Sequence, residues 1–191
     1  MNASTRTRIL EEAARLFTEK GYEATSVQDL AEALGLSKAA LYHHFRSKEE
    51  VLYEISLQAL EGLLREGERA SREEDPKKAL LAFMEAHARF FEENYSFFVT
   101  MLQGMNSLSP RKRAVTIRLR DQHEANLRAI LRRGIEAGVF RPVDVALAGR
   151  AILSLLNWMI RWFRPGGPLR AEEVARSYYD LILRGLEDGK P

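Results

Sequence analysis

Apolar side chains recur every three or four positions along most of the chain, and no stretch alternates as a convincing strand does. Ile9, Ala13, Leu16 and Phe17 fall on one face of a first helix, and Val27, Leu30, Ala31 and Leu34 on one face of a second, with Gly21 breaking the two apart. Thr25 or Ser26 caps the second helix, with Gln28 or Asp29 three residues on. Gly35 ends it, Ser37 caps a third, and Leu36 and Leu41 take the N′ and N4 positions of a hydrophobic staple. Ser47 and Glu50 stand in the S-x-x-E relation of a capping box and open a long helix to about Ser71. The third helix is therefore only two turns long. It buries too little to stabilise itself, so its place on a small scaffold is explained by what its outer side chains touch. Residues 4–45 read as three helices with a tight Gly-Leu-Ser link, a helix-turn-helix pattern.

The pattern stays helical downstream. Asp75-Pro76 and Ser109-Pro110 each pair an N-cap with proline at the first helical position. Asn94 to Ser96 bends the chain before the apolar run 97–102, and Gly138 ends the helix that begins at Pro110. Pro142 begins another that reaches about Phe163, residues 164–168 form a turn, and a last helix spans roughly Ala171 to Leu186. The fold class is all-α, with about nine helices. The domains predicted are a helix-turn-helix domain over residues 1–50 and a helical ligand-binding and dimerisation domain over 51–191.

A short presented helix fits the major groove of double-stranded DNA. Tyr42, Thr25, Ser26 and Lys48 suit phosphates, while Lys38 and Ala39 reach base edges or a thymine methyl, with His43 beside them. Arg6, Lys38 and Lys48 lie at or near helix starts, where phosphates are also attracted. The bland alternative for Tyr42 and His43 is packing against the first helix. Net charge does not carry the assignment, because 29 basic residues are met by 27 acidic ones.

The run AARLFTEKGYEATSVQDLAEALGLSKAALYHHFRSKEEVL resembles the N-terminal domain of the TetR family of transcriptional regulators, over roughly residues 5–52. The resemblance supports the DNA-contact assignments above and implies a homodimer on a palindromic operator. It further implies that an effector tilts the fourth helix and changes the spacing of two reading helices, which must sit about 34–36 Å apart to enter successive major grooves.

The second half is rich in large apolar groups at helical spacing: Phe83, His87, Phe90 and Phe91, then Phe98, Met101 and Met105, and later Trp158, Trp162 and Phe163. Most serve as core, and as a cluster they match the lining of a pocket between helices. Candidate ligand contacts are Phe83, His87, Phe90, Phe98, Met101, Met105, Arg118, Asn157, Trp158, Arg161 and Trp162. Asn157 and Arg161 share a face, and an arginine buried in an apolar helix needs an anion. That partner is an internal carboxylate such as Glu85 or Asp121, or a phosphate or carboxylate on a ligand. Residues 157–168 with their Leu-x-x-Glu-Glu-Val continuation resemble the branch of the family that responds to acyl-coenzyme A thioesters. An acyl-CoA effector is the resulting expectation, with free fatty acids, aromatic acids and lipophilic drugs as alternatives. Ile152, Leu155, Leu156, Val174, Tyr178 and Leu181 are expected in a four-helix dimer interface, since the last two helices are apolar on more than one face.

Composition narrows the function classes. With no cysteine, disulfides and thiolate metal sites are excluded. His43 and His44 point about 100° apart on a helix and do not readily share one ion, so no metal and no cofactor is expected. His87 and His123 read as satisfied or solvent-facing. No G-x-S-x-G, phosphate-binding glycine loop or H-E-x-x-H is present, so the expectation is not an enzyme. The competing non-enzyme class is a helical partner-binding adaptor. The N-terminal residues lack an apolar signal region, and residues 146–163 are interrupted by Arg150, Asn157 and Arg161, which predicts a cytoplasmic protein without a membrane partner.

Overall fold

The computed structural model describes residues 4–186, which form nine α-helices and two short 3-10 turns, with no strand among the described residues. The helices are α1 (Thr5–Lys20), α2 (Val27–Leu34), α3 (Lys38–His44), α4 (Lys48–Ala70), α5 (Pro76–Glu93), α6 (Tyr95–Gly104), α7 (Pro110–Glu136), α8 (Val145–Trp158) and α9 (Ala171–Leu186). Local chemistry sets their ends. Ser26, not Thr25, caps α2, in a full capping box with Asp29. Asp75 accepts from the Lys77 N–H at 2.8 Å, and Pro76 occupies the position whose missing N–H has no helical acceptor. Asp144 caps α8 through the Ala146 and Leu147 N–H groups, so that helix starts beyond Pro142 and ends at Trp158, with a 3-10 turn over Met159–Arg161. The cap at α4 departs from the expected box: Ser47 accepts from the Glu50 N–H, but the Glu50 carboxylate accepts from the Arg46 N–H.

The chain forms two compact units, interleaved along the sequence. The first takes residues 1–61 and 94–117, and the second takes 62–93 and 118–191. Helices α4 and α7 each contribute to both.

In the first unit, Ile9, Leu10, Ala13, Leu16 and Phe17 of α1 meet Leu30, Leu41, Phe45, Val51, Leu52, Ile55 and Leu108 in one core. Helix α6 lies along α1, where the Thr100 hydroxyl donates to the Ala14 carbonyl at 3.2 Å and Thr18 donates to Ser96. Gly104 lets Leu52 pack closely there, since a Cβ at that position would stand 2.5 Å from Leu52 Cδ1.

In the second unit α9 packs along α5. Leu80, Phe83, Met84 and Phe91 are buried on α5, and Ala171, Val174, Ala175 and Tyr179 on α9. Ion pairs Arg89–Glu172, Arg170–Glu92 and Arg176–Glu85 flank that seam, and the Tyr179 hydroxyl donates to the Lys77 carbonyl. Phe140 turns back over α7, filling the space left by Gly134, where a Cβ would lie 2.0 Å from its ring.

Candidate functional site

The third helix is fixed from below and open above. Ser37 accepts from the Ala40 N–H at 3.1 Å, and Leu41 and Phe45 are each 1% exposed in the core. That anchoring turns Lys38, Ala39, Tyr42 and His43 outward, with Tyr42 48% exposed. Positions spaced by one, four and five residues lie on one side of a helix, so these four form a single presented face. Ser26 is exposed at the start of α2, held by Asp29, whose carboxyl is lowered to about 2 by hydrogen bonds from the Ser26 hydroxyl and N–H and from Lys20.

Three other residues expected at phosphates are engaged inside the unit. Thr25 is completely buried and its hydroxyl donates to the Gly21 carbonyl at 2.8 Å, so its side chain fastens the turn and does not face outward. Lys48 donates to the carbonyls of Tyr22 at 2.8 Å and Thr25 at 2.9 Å, with its ammonium 4.2 Å above the Tyr22 ring. Arg6 donates to the His44 carbonyl, pairs with Glu54 and lies 4.2 Å over the Phe45 ring. For Lys48 and Arg6 the partners lie 23 to 48 residues away along the chain, out of reach of sequence reading, whereas the Thr25 partner is only four residues back.

The second unit carries a polar thread in an apolar core. His87 Nδ1 and His123 Nε2 are 3.1 Å apart, and both residues are buried. Asn157 comes close enough to His87 to favour its charged form, and the Phe83 ring stacks on His123 at 4.8 Å between centroids. Burial holds both imidazoles well below their ordinary value of 6.5, and in His123 the neighbouring His87 adds to it. Gly67 makes the room: a Cβ there would stand 2.8 Å from His123 Nδ1 and 3.0 Å from the Phe83 ring. The two histidines read separately in the sequence are thus one pair, which no local signal announces.

The other expected ligand contacts divide between the units. Phe83, His87 and Asn157 come together in the second unit, where Phe90 is half-buried over Gly62. Phe98, Met101 and Met105 are buried in the first unit. Arg118 is exposed. Arg161 corrects the reasoning that singled it out: it is exposed, with its guanidinium 5.4 Å from the Trp158 ring centre, so no buried charge has to be neutralised there. Glu85 and Asp121 pair instead with Arg176 and Arg120. Trp158 and Trp162 are also outside, 63% and 42% exposed.

Expected interface residues divide as well. Ile152, Leu156 and Val174 are buried within their own chain and Tyr178 is half-buried, whereas Leu155 and Leu181 face out. Leu147, Leu155 and Trp158 make an exposed apolar stripe along α8, at a spacing of eight and three residues. Trp158 could have been placed on it from the helical period alone. Among the described residues no group of three or more His, Asp or Glu is placed to hold a metal ion, and no helix is long and apolar enough to cross a membrane.

Residues 9–55 match the family of bacterial regulatory proteins of the tetR type, and residues 73–186 match the tetracyclin repressor-like C-terminal domain. This chain belongs to the TetR family. Among TetR-family relatives, the HTH-type transcriptional repressor KstR2 of Mycobacterium tuberculosis is 34% identical, over 96% of this chain and 93% of its own. The crystal structure of the TetR-family regulator PfmR from Thermus thermophilus is 79% identical, covers 95% of this chain and all of that one, and superposes with a TM-score of 0.91. AibR, solved in complex with isovaleryl coenzyme A and operator DNA, is 27% identical over 94% of this TetR-family chain and 98% of its own, with a TM-score of 0.87.

Proposed function

We propose that this TetR-family chain is a DNA-binding transcriptional repressor, released from its operator by a hydrophobic effector, with an acyl-CoA thioester as the preferred class. The observation that carries it is the presented face of α3, where Lys38, Ala39, Tyr42 and His43 project from a two-turn helix held by Leu41 and Phe45. Lys38 and Ala39 suit base edges, and Tyr42, His43 and Ser26 suit the flanking phosphates. DNA reading is assigned to residues 1–50, and effector binding and dimerisation to 51–191. It is a binding protein of the cytoplasm, not an enzyme.

For the effector, support comes from the polar thread of His87, His123 and Asn157 within an apolar core, a place where one carbonyl could be hydrogen-bonded among aromatic side chains. The related AibR was solved with isovaleryl coenzyme A and operator DNA, and KstR2 is a repressor. The outward stripe of Leu147, Leu155 and Trp158, with Leu181 on α9, favours a homodimer, because apolar groups this large and aligned are stabilised by cover. Helices α4 and α7 continue from the second unit into the first, and an effector acts through them. Coupling of about 1–3 kcal/mol, roughly 5- to 150-fold in affinity, suffices to empty a promoter.

The test is fluorescence anisotropy on the DNA upstream of the protein's own gene at fixed salt, titrating acyl-CoAs of increasing chain length beside free CoA and free acids. Release by acyl-CoA alone is the expected result. Release by the free acid moves the effector to that class, and no selective binding of any duplex would leave a partner-binding adaptor.

A further inference from the structure

We infer that Arg6 and Lys48 are positioning residues for DNA recognition: they fasten both ends of the α2–α3 hairpin to the first turns of α4, and neither spends its charge on a phosphate. The inference rests on reading α3 as the DNA-facing helix.

Lys48 has three N–H donors, and two are taken by the carbonyls of Tyr22 and Thr25, the residues that lead into α2. The ammonium also sits 4.2 Å from the centre of the Tyr22 ring. Swinging away from this site to a phosphate would break two charge-assisted hydrogen bonds and a cation–π contact at once. Arg6 closes the other end. One arm of its guanidinium donates to the His44 carbonyl, at the last residue of α3, another pairs with Glu54 of α4, and the plane lies on Phe45. Lys48 and Glu54 stand six positions apart near the start of α4. The entrance to α2 and the exit of α3 are therefore both tied to one short stretch of α4, which fixes the angle at which α3 presents Lys38 and Tyr42.

This makes a distinction that binding can read. A phosphate contact contributes to every duplex alike and to the salt dependence, whereas a positioning residue matters only where base edges must meet side chains in register. Affinity of Lys48→Met and Lys48→Arg is measured on two probes, a duplex selected by the wild-type protein from a random pool and a scrambled duplex of equal length, each across a salt series. Lys48→Met is expected to lose about tenfold or more on the selected duplex, the scale of a lost base contact. It should keep wild-type affinity and salt slope on the scrambled one, and Lys48→Arg, which can still reach the two carbonyls and the ring, should recover most of the loss. Arg6→Gln is expected to behave as Lys48→Met does.

Three results overturn the inference. A parallel loss on both duplexes, with the slope lowered by about 0.9 per subunit, makes Lys48 a phosphate ligand. An equal loss on both with the slope unchanged, in a variant whose melt shows it folded, means the effect is not on register, and no loss means no role. Should Lys48→Met fail to fold, Tyr22→Leu removes the ring face while leaving both carbonyls, and the same two-probe comparison decides. Failure of the wild type to prefer any duplex would instead remove the reading of α3 on which this depends.

Discussion

The buried pair His87–His123 makes the stability of this chain depend on pH in a defined direction. Both imidazoles are held well below 6.5 in the folded protein, first by burial and in His123 also by its neighbour. In the unfolded chain each titrates near the ordinary value of about 6.5. Above that pH both states are neutral and the pair contributes no pH dependence. Below it the unfolded chain binds protons that the folded core refuses, so stability falls with falling pH. The loss levels off only once pH passes below the depressed folded values. Each pH unit below about 6.5 costs about 1.4 kcal/mol per imidazole, so at pH 5.0 the pair should remove roughly 4 kcal/mol relative to pH 7.5. For a chain of this length that is a fall in melting temperature of roughly 8–16 °C. The assay is thermal or urea unfolding at both pH values for the wild type and for the double variant His87→Gln/His123→Gln. Contributions from carboxylates and from the exposed His43 cancel in the difference between the two proteins. A wild type that loses no more stability than the double variant between pH 7.5 and 5.0 would refute the reasoning, because the buried imidazoles would then be taking up protons as easily as in water.

Two further outcomes follow from the placement of side chains. Tyr42→Ala, at a residue 48% exposed, should change the melting free energy by no more than about 0.5 kcal/mol while lowering operator affinity about fivefold or more, read by a melt and by anisotropy on one preparation. Leu155→Asp combined with Trp158→Asp puts two charges into the exposed stripe of α8, and light scattering at micromolar concentration should then report a monomer where the wild type is a dimer; an unchanged mass would place the interface elsewhere.

The order of the helices and most of their ends were legible in the sequence because they rest on interactions that close within a few residues. Asp75-Pro76, the Ser26–Asp29 box and the staple of Leu36 and Leu41 over Ser37 each need only neighbours along one turn, and the apolar period assigns Leu41 inward and Tyr42 outward on the same arithmetic. From these alone come the all-α class, the helix-turn-helix and the presented face of α3. Tertiary structure decided what the remaining polar groups do. Lys48 and Arg6 have the chemistry of phosphate ligands, but their partners at Tyr22, His44 and Glu54 turn them into fasteners of the hairpin, and Thr25, whose bond to Gly21 closes within four residues, is turned inward by packing. Arg161 reads as a charge stranded in an apolar helix until the end of α8 places it on the surface beside Trp158. His87 and His123 stand 36 residues apart on two helices, and only the approach of α5 to α7 over Gly67 joins them. Helical periodicity records which residues turn inward; which inward residues meet depends on how separate helices cross, and that is fixed by the summed packing of the whole core.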